Sequence, residues 1–124
     1  LLGELSSQVA GIETIFRAIP PVLAEHFAAD ARGEQLPEAE VDALYAQVYQ
    51  AQQVIAPVTL DVATKIFEVG GASATSQSRA FDRHWRNARV LSSHNPLIYR
   101  ARILGDYVVN GVSPERKYTV GQAG

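Results

Sequence analysis

One spacing governs what this chain can become: its apolar residues return in alternating steps of three and four. Leu2, Leu5, Val9, Ile12, Phe16, Ile19 and Leu23 form one such series. A mean step near 3.5 keeps one stripe of a helix turned toward a partner, so the series reads as a bundle seam. Pro20 and Pro21 stand inside it. Each lacks an N–H and crowds the carbonyl four residues back, so the helix is expected to kink or end there. The stretch from Asp30 to Pro37 is polar and carries Gly33, which marks a loop.

A second seam keeps the same steps through Val41, Leu44, Val48, Ala51, Ile55, Val58, Val62 and Val69. Lys65 falls on it, beside Ile66, and Pro57 is expected to bend it. Gly70-Gly71 is a helix stop. Residues 72–78 are small and hydroxyl-rich, as in a tight loop. A short helix is expected over 79–91, with Phe81, Trp85 and Ala88 on one side. Asn95-Pro96 then punctuates the chain. Pro96 suits the first turn of a last helix whose buried face is Leu97, Ala101, Leu104 and Val108. Asn110-Gly111 closes that helix, and residues 112–124 read as an irregular tail. The pattern predicts an all-α fold, an antiparallel four-helix up-and-down bundle forming one domain over residues 1–124. No strand-like run and no internal repeat competes with it.

Composition narrows the chemistry. With 124 residues, 47% of them apolar, the chain can bury one core. A net charge of −2 with both signs scattered argues against a nucleic-acid partner. No window approaches the roughly 20 apolar residues of a membrane span. Cysteine is absent, which removes disulfides, thiolate catalysis and Cys-held metal. His26, His84 and His94 lack a metal-ligand spacing, so no metal is expected. No charged-then-apolar leader is visible, which points to the cytoplasm. Methionine is absent and the chain opens at Leu1 inside an apolar stripe without a capping residue. This reads as a piece of a longer protein.

Chemistry-bearing residues concentrate between Phe67 and Pro96. Gly70-Gly71 is followed by Ser73, Thr75, Ser76 and Ser78, then by Asp82-Arg83-His84-Trp85-Arg86-Asn87-Ala88-Arg89, then by Ser92-Ser93-His94-Asn95-Pro96. Glycines let backbone approach a ligand closely, and hydroxyls with exposed amides can bind phosphate. Arginines add forked donors for phosphate or carboxylate. A helix stop, a solvated loop and a basic helix face account for the same composition.

The order of these residues adds more. Phe67-Glu68-Val69-Gly70-Gly71-Ala72-Ser73-Ala74-Thr75, the Asp82–Arg89 run and His94-Asn95-Pro96 resemble the carboxy-terminal signature of the acyl-CoA dehydrogenase superfamily. The likeness is to its flavin-dependent monooxygenase branch, which includes sulfur-acquisition oxidoreductases, and it spans Phe67 to Gly111. The resemblance implies a parent enzyme with an amino-terminal helical domain and a middle β-domain. Flavin would sit between the middle and carboxy-terminal domains, partly across a subunit boundary, so this chain would supply one wall.

Departures from the dehydrogenases carry weight. Where those enzymes hold a Gln for the adenosine half of FAD, this chain has Phe67-Glu68-Val69, which favours reduced FMN over FAD. Arg86-Asn87-Ala88-Arg89 matches their Arg-Asp-Ala-Arg/Lys element. Asn95 then occupies the place of the Glu that abstracts the substrate proton, and an amide cannot act as that base. Oxygenation of a small apolar substrate, with a sulfur compound as first guess, follows as the expected activity. Reduced flavin would come from a separate flavin reductase, and the enzyme would be a homo-oligomer, dimer or tetramer. An FAD-dependent acyl-CoA dehydrogenase with its base elsewhere is the alternative. A third reading makes the isolated chain an oligomerisation module without activity.

The residue roles implied are specific. His94 would lie beside the flavin ring, where an imidazole can hydrogen-bond oxygen or move a proton; capping of the helix after Asn95 is its other reading. Gly70, Gly71, Thr75, Arg83, Arg86 and Asn95 are the cofactor-binding candidates. Arg83, Arg86 and Arg89 share one flank of a helix and equally suit salt bridges to Asp82 or Asp106. Trp85 is a candidate substrate wall, although its place beside Phe81 also suits the core.

Overall fold

The computed structural model of the chain describes residues 1–114. It consists of α1 (Leu2–Ala31), α2 (Glu38–Gly70), α3 (Asp82–His94) and α4 (Leu97–Asn110). Two 3₁₀ turns, Ala72–Thr75 and Gln77–Arg79, join α2 to α3. No strand occurs among the described residues, and the all-α, four-helix class expected from the spacing holds. The central element is α2: α1, α3 and α4 each dock on it. Its 33 residues, at about 1.5 Å each, run roughly 50 Å.

Both seams are visible in the packing. On α1, Leu5 is buried and Ile12, Ile19 and Leu23 are half-buried, whereas Leu2, Val9 and Phe16 are exposed. Those three lie seven residues apart, so one edge of the stripe meets α2 and the other faces outward. On α2, Leu44, Ala46 and Ala51 are buried, Val41, Val48, Ile55, Val58 and Val62 are half-buried, and Val69 is exposed. Alanines supply much of the buried set, with Ala29 and Ala74 completing it beside Leu5, Leu44 and Ile103. Small side chains bring helix axes close, and the larger seam residues cover the flanks.

Three local expectations change. Of the two outcomes expected at Pro20 and Pro21, a kink or an end, the end does not occur: α1 continues to Ala31. Two N–H donors are lost, leaving the carbonyls of Phe16 and Arg17 without helical partners. Phe16, Arg17, Pro20 and Pro21 are all exposed, so water can reach those carbonyls, and seam packing on both sides holds the helix together. Pro57 likewise lies inside a continuous α2.

The helix expected from residue 79 starts instead at Asp82 and runs on to His94. Ala80 adopts a left-handed conformation at φ 50°, which a right-handed helix cannot contain. The hydroxyl-rich loop before it is wound into the two 3₁₀ turns.

The buried face of α4 is rotated from the one expected. Ile103 is 3% exposed, whereas Val108 is 71% exposed and Ala101 is also exposed. Leu97, Arg100, Leu104 and Tyr107 flank Ile103 as half-buried neighbours. Polar-tipped side chains cause the rotation. The Arg100 guanidinium lies 4.1 Å over the Tyr49 ring, and Gln53 donates a 2.7 Å hydrogen bond to the Leu97 carbonyl.

Gly111, in the left-handed region at φ 66°, ends α4, and its N–H bonds the Tyr107 carbonyl at 3.0 Å. The Ser113 hydroxyl then donates to Asp42 of α2. Residues 112–114 of the expected tail have no helix or strand, and the remainder of that tail lies outside the described residues. Among the described residues no helix is long and apolar enough to cross a membrane.

Candidate functional site

The glycine pair closes α2 in two different ways. Gly71 takes φ 62°, ψ −165°, a conformation that glycine alone adopts easily. A Cβ built on Gly71 meets nothing within 4 Å, so that flank is open. Gly70 has ordinary helical geometry but no room. A Cβ there would lie 2.6 Å from the Ala74 Cβ and 3.3 Å from Cε2 of Phe81.

The following hydroxyls are turned inward on the backbone. Ser73 donates to the Gly70 carbonyl at 3.2 Å and Thr75 to the Ala72 carbonyl at 2.8 Å. Both have spent their proton locally and present lone pairs outward. Ser76 and Ser78 share a hydrogen bond of 2.9 Å.

The basic flank belongs to α3. Arg83, Arg86 and Arg89 are all exposed. Arg86 pairs with Asp82 one turn earlier at 3.0 Å, whereas Arg83 and Arg89 form no ion pair among the described residues. Trp85 is 39% exposed, between core and solvent. His94 is the last residue of α3. Asn95 follows it in extended conformation, φ −119° and ψ 95°, and breaks the helix before Pro96 opens α4. No side chain caps α4, which leaves His94 without the capping role. His94 and Asn95 are both exposed at the α3–α4 corner.

These residues form two groups. Gly70, Gly71, Thr75, Arg83 and Arg86 cluster in sequence around the α2–α3 turn, while His94 and Asn95 stand at the far end of α3. At about 1.5 Å per step, the α3 positions of Arg83 and His94 lie roughly 16 Å apart. Among the described residues, the length of α3 keeps the two groups apart. A cavity of about 280 Å³ lies at the opposite end of α2, lined by His26, Asp30, Glu34, Gln35, Leu36 and Val41.

Two features at this site lay outside the sequence reading. Phe67 and Phe81 meet edge to face, centroids 6.1 Å apart and planes at 82°; two aromatics flanking a glycine pair were the available signal. The left-handed Ala80 had none, because alanine rarely adopts that conformation.

A four-helix all-α unit whose longest helix stops at a glycine pair and is followed by a basic helix defines a class. The chain belongs to the family described as acyl-CoA dehydrogenase, C-terminal domain, which residues 4–97 match. The match includes α1 and most of the seam pairing, well ahead of Phe67.

Within that family it is similar to particular flavoenzymes. It is 32% identical over 117 residues to a dibenzothiophene monooxygenase of Mycolicibacterium goodii, covering 94% of this chain and 28% of that protein. Over 55 residues, 44% of this chain and 14% of the relative, it is 47% identical to the probable FMNH2-dependent monooxygenase SfnC of Pseudomonas putida. Its fold matches FMN-bound TdsC of Paenibacillus sp. A11-2 with a TM-score of 0.76 and 29% identity, over 90% of this chain and 28% of that one. The chain therefore spans less than a third of the length of these relatives.

Proposed function

We propose that this chain is the carboxy-terminal helical wall of a flavin-dependent monooxygenase. The parent takes reduced FMN from a separate flavin reductase and oxygenates a small, poorly polar substrate, with organosulfur compounds as the first class to test. One observation carries the choice of oxygenation over dehydrogenation. Between Asp82 and Asp106 the chain holds no carboxylate, so neither α3 after its first residue nor the α3–α4 corner offers the carboxylate base that the dehydrogenases use for proton abstraction. An exposed imidazole and an amide stand there instead.

Reduced FMN, when bound, supplies the two electrons that split O2 between substrate and water. The residues of this chain do the rest at one wall. Arg83 and Arg86 hold the phosphate, with Arg86 exchanging its Asp82 partner for the stronger anion. Gly71 would admit it closely, and Thr75 would add a polar contact to the cofactor. Asn95 hydrogen-bonds the cofactor, Trp85 gives the substrate an apolar surface, and His94 holds or moves a proton near the oxygen being transferred. The other walls come from the rest of the parent and from a second subunit of a dimer or tetramer. The enzyme works in the cytoplasm, without nucleic-acid or membrane partners.

The test supplies the full-length protein with enzymatically reduced FMN, O2 and dibenzothiophene. Oxygenated product is expected, and the isolated 124-residue chain is expected to bind FMN only weakly. Oxidation of acyl-CoA thioesters without O2 would replace this reading with the dehydrogenase one.

A further inference from the structure

We propose that Gly70 is a positioning residue for the phosphate-binding flank of α3, acting through Ala74 and Phe81 rather than by touching the cofactor. The proposal rests on the flavoenzyme reading for what the flank binds, but not for how the flank is held.

Gly70 lies inside α2 without a positive φ, so its backbone conformation does not require glycine. Glycine is the poorest helix former after proline, and something must offset that penalty. The offset is space. A Cβ on Gly70 would sit 2.6 Å from the Ala74 Cβ, closer than two carbons can lie, and 3.3 Å from the Phe81 ring. Ala74 is 1% exposed, and its N–H bonds the Gly71 carbonyl at 2.9 Å. The first 3₁₀ turn thus rests directly on the last turn of α2.

Phe81 closes the other side. Its ring touches the Gly70 position and meets Phe67, one turn earlier on the same face of α2. Phe81 is also the residue from which α3 starts. Ala80, beside it, is the one non-glycine residue at positive φ among the described residues. A strained conformation of this kind persists where surrounding contacts impose it. Phe67, Gly70, Ala74 and Phe81 therefore form a clamp that fixes the origin and direction of α3, and Arg83 and Arg86 follow two and five residues later. Gly71 differs: its requirement is conformational and its flank is open.

The clamp predicts a rescue that ligand contact does not. Gly70→Ala crowds Ala74, and Ala74→Gly removes the atom it crowds. In the 124-residue chain, Gly70→Ala should speed amide exchange across residues 80–94 about tenfold or more, as overpacking does. In the full-length protein it should weaken FMN binding, followed by fluorescence, by a similar factor. Gly70→Ala/Ala74→Gly should recover most of both losses.

A double variant that binds FMN as weakly as Gly70→Ala would overturn the proposal, since the glycine would then be needed by the ligand itself. Unchanged exchange in Gly70→Ala would overturn it too. Phe81→Leu supplies a second arm that leaves Gly70 intact: faster exchange along α3 is expected, and unchanged exchange removes the clamp. If the unmodified full-length protein binds no FMN, the flavoenzyme reading fails while the exchange data still judge the clamp.

Discussion

Lys65 places its ammonium 2.7 Å from the Asp61 carboxylate one turn earlier, at the charged step of the otherwise apolar α2 seam. The hydrogen bond from Lys65 holds Asp61 below its ordinary value of 3.8, against an opposing effect of partial burial, and the Gln8 side chain of α1 adds a smaller lowering influence. The same bond raises Lys65 above 10.5, helped by the charges of Asp61, Glu68 and Glu4.

The sign of the pH dependence follows from those directions. A depressed carboxyl stabilises the fold fully above pH 3.8 and loses that contribution as pH falls through its lowered folded value. A raised ammonium contributes fully below pH 10.5 and loses it as pH rises past its raised folded value. The stability difference between the unmodified chain and Asp61→Asn should therefore be level through neutral pH and shrink at both extremes. Urea denaturation across pH measures it. A difference that persists undiminished to pH 2 would show that Asp61 acts through packing rather than charge.

The rotated face of α4 separates two substitutions that spacing alone ranks the other way. Ile103→Ala empties a buried position and should cost about 2–4 kcal/mol. Val108→Ala trims a solvated side chain and should stay within about 0.5 kcal/mol. Paired denaturation curves distinguish them, and a larger loss at Val108 would return the buried face to the line from Leu97 to Val108.

Two left-handed positions should respond with opposite signs. Gly111→Ala puts a Cβ into the conformation that ends α4 and should lower stability by about 1 kcal/mol. Ala80→Gly relieves the same clash before α3 and should raise stability by about 0.5 kcal/mol. Destabilisation by Ala80→Gly would mean that the alanine methyl packs in a way that outweighs its backbone strain.

How much of this was legible in the sequence depends on the range of the forces involved. The seams of α1 and α2 could be read because one period repeats over seven or eight positions, and Gly70-Gly71 and Gly111 end helices by local backbone preference. Continuation through Pro20 and Pro21 depends on tertiary packing, which local propensity does not contain. The α4 face failed for a related reason: hydrophobicity put Val108 inward, whereas Tyr49 and Gln53, some fifty residues away, draw in Arg100 and Leu97. At the site, Arg83, Arg86 and Arg89 were placed correctly on one helix. Their separation from His94 follows from the length of α3, and the division of labour between Gly70 and Gly71 needed the positions of Ala74 and Phe81.

The outward edge of α1 should make the isolated chain associate. Leu2, Val9 and Phe16 repeat every seven residues on the exposed side, with Phe16 61% exposed, and such rows are rarely left in water. Sedimentation velocity should show a mass that rises with concentration. Phe16→Glu should shift the population toward monomer while leaving the helical circular dichroism in place. A unmodified chain that stays monomeric at every concentration would leave this row unexplained.

His94 gives the sharpest test of the proposed chemistry. It stands exposed at the α3–α4 corner, the side chains around it cap nothing, and the adjoining Asn95 cannot exchange a proton. A neutral imidazole can hydrogen-bond an oxygen atom or deliver a proton to one, whereas an alanine methyl does neither. Loss of a single acid–base group typically lowers rate on the order of a hundredfold or more. In the full-length protein, His94→Ala should therefore depress product formation by about that factor. FMN affinity should change little, because the phosphate contacts assigned to Arg83 and Arg86 lie roughly 16 Å and 12 Å away along α3. Reduced FMN would then reduce O2 to hydrogen peroxide without an oxygen atom reaching the substrate, so hydrogen peroxide should rise as product falls. Product and peroxide are to be measured side by side, with His94→Gln as the variant that keeps a hydrogen-bond donor but cannot titrate. Partial recovery in His94→Gln would assign the residue a hydrogen-bonding role, and no recovery would assign it proton transfer. Unchanged product in His94→Ala would remove the residue from the reaction altogether.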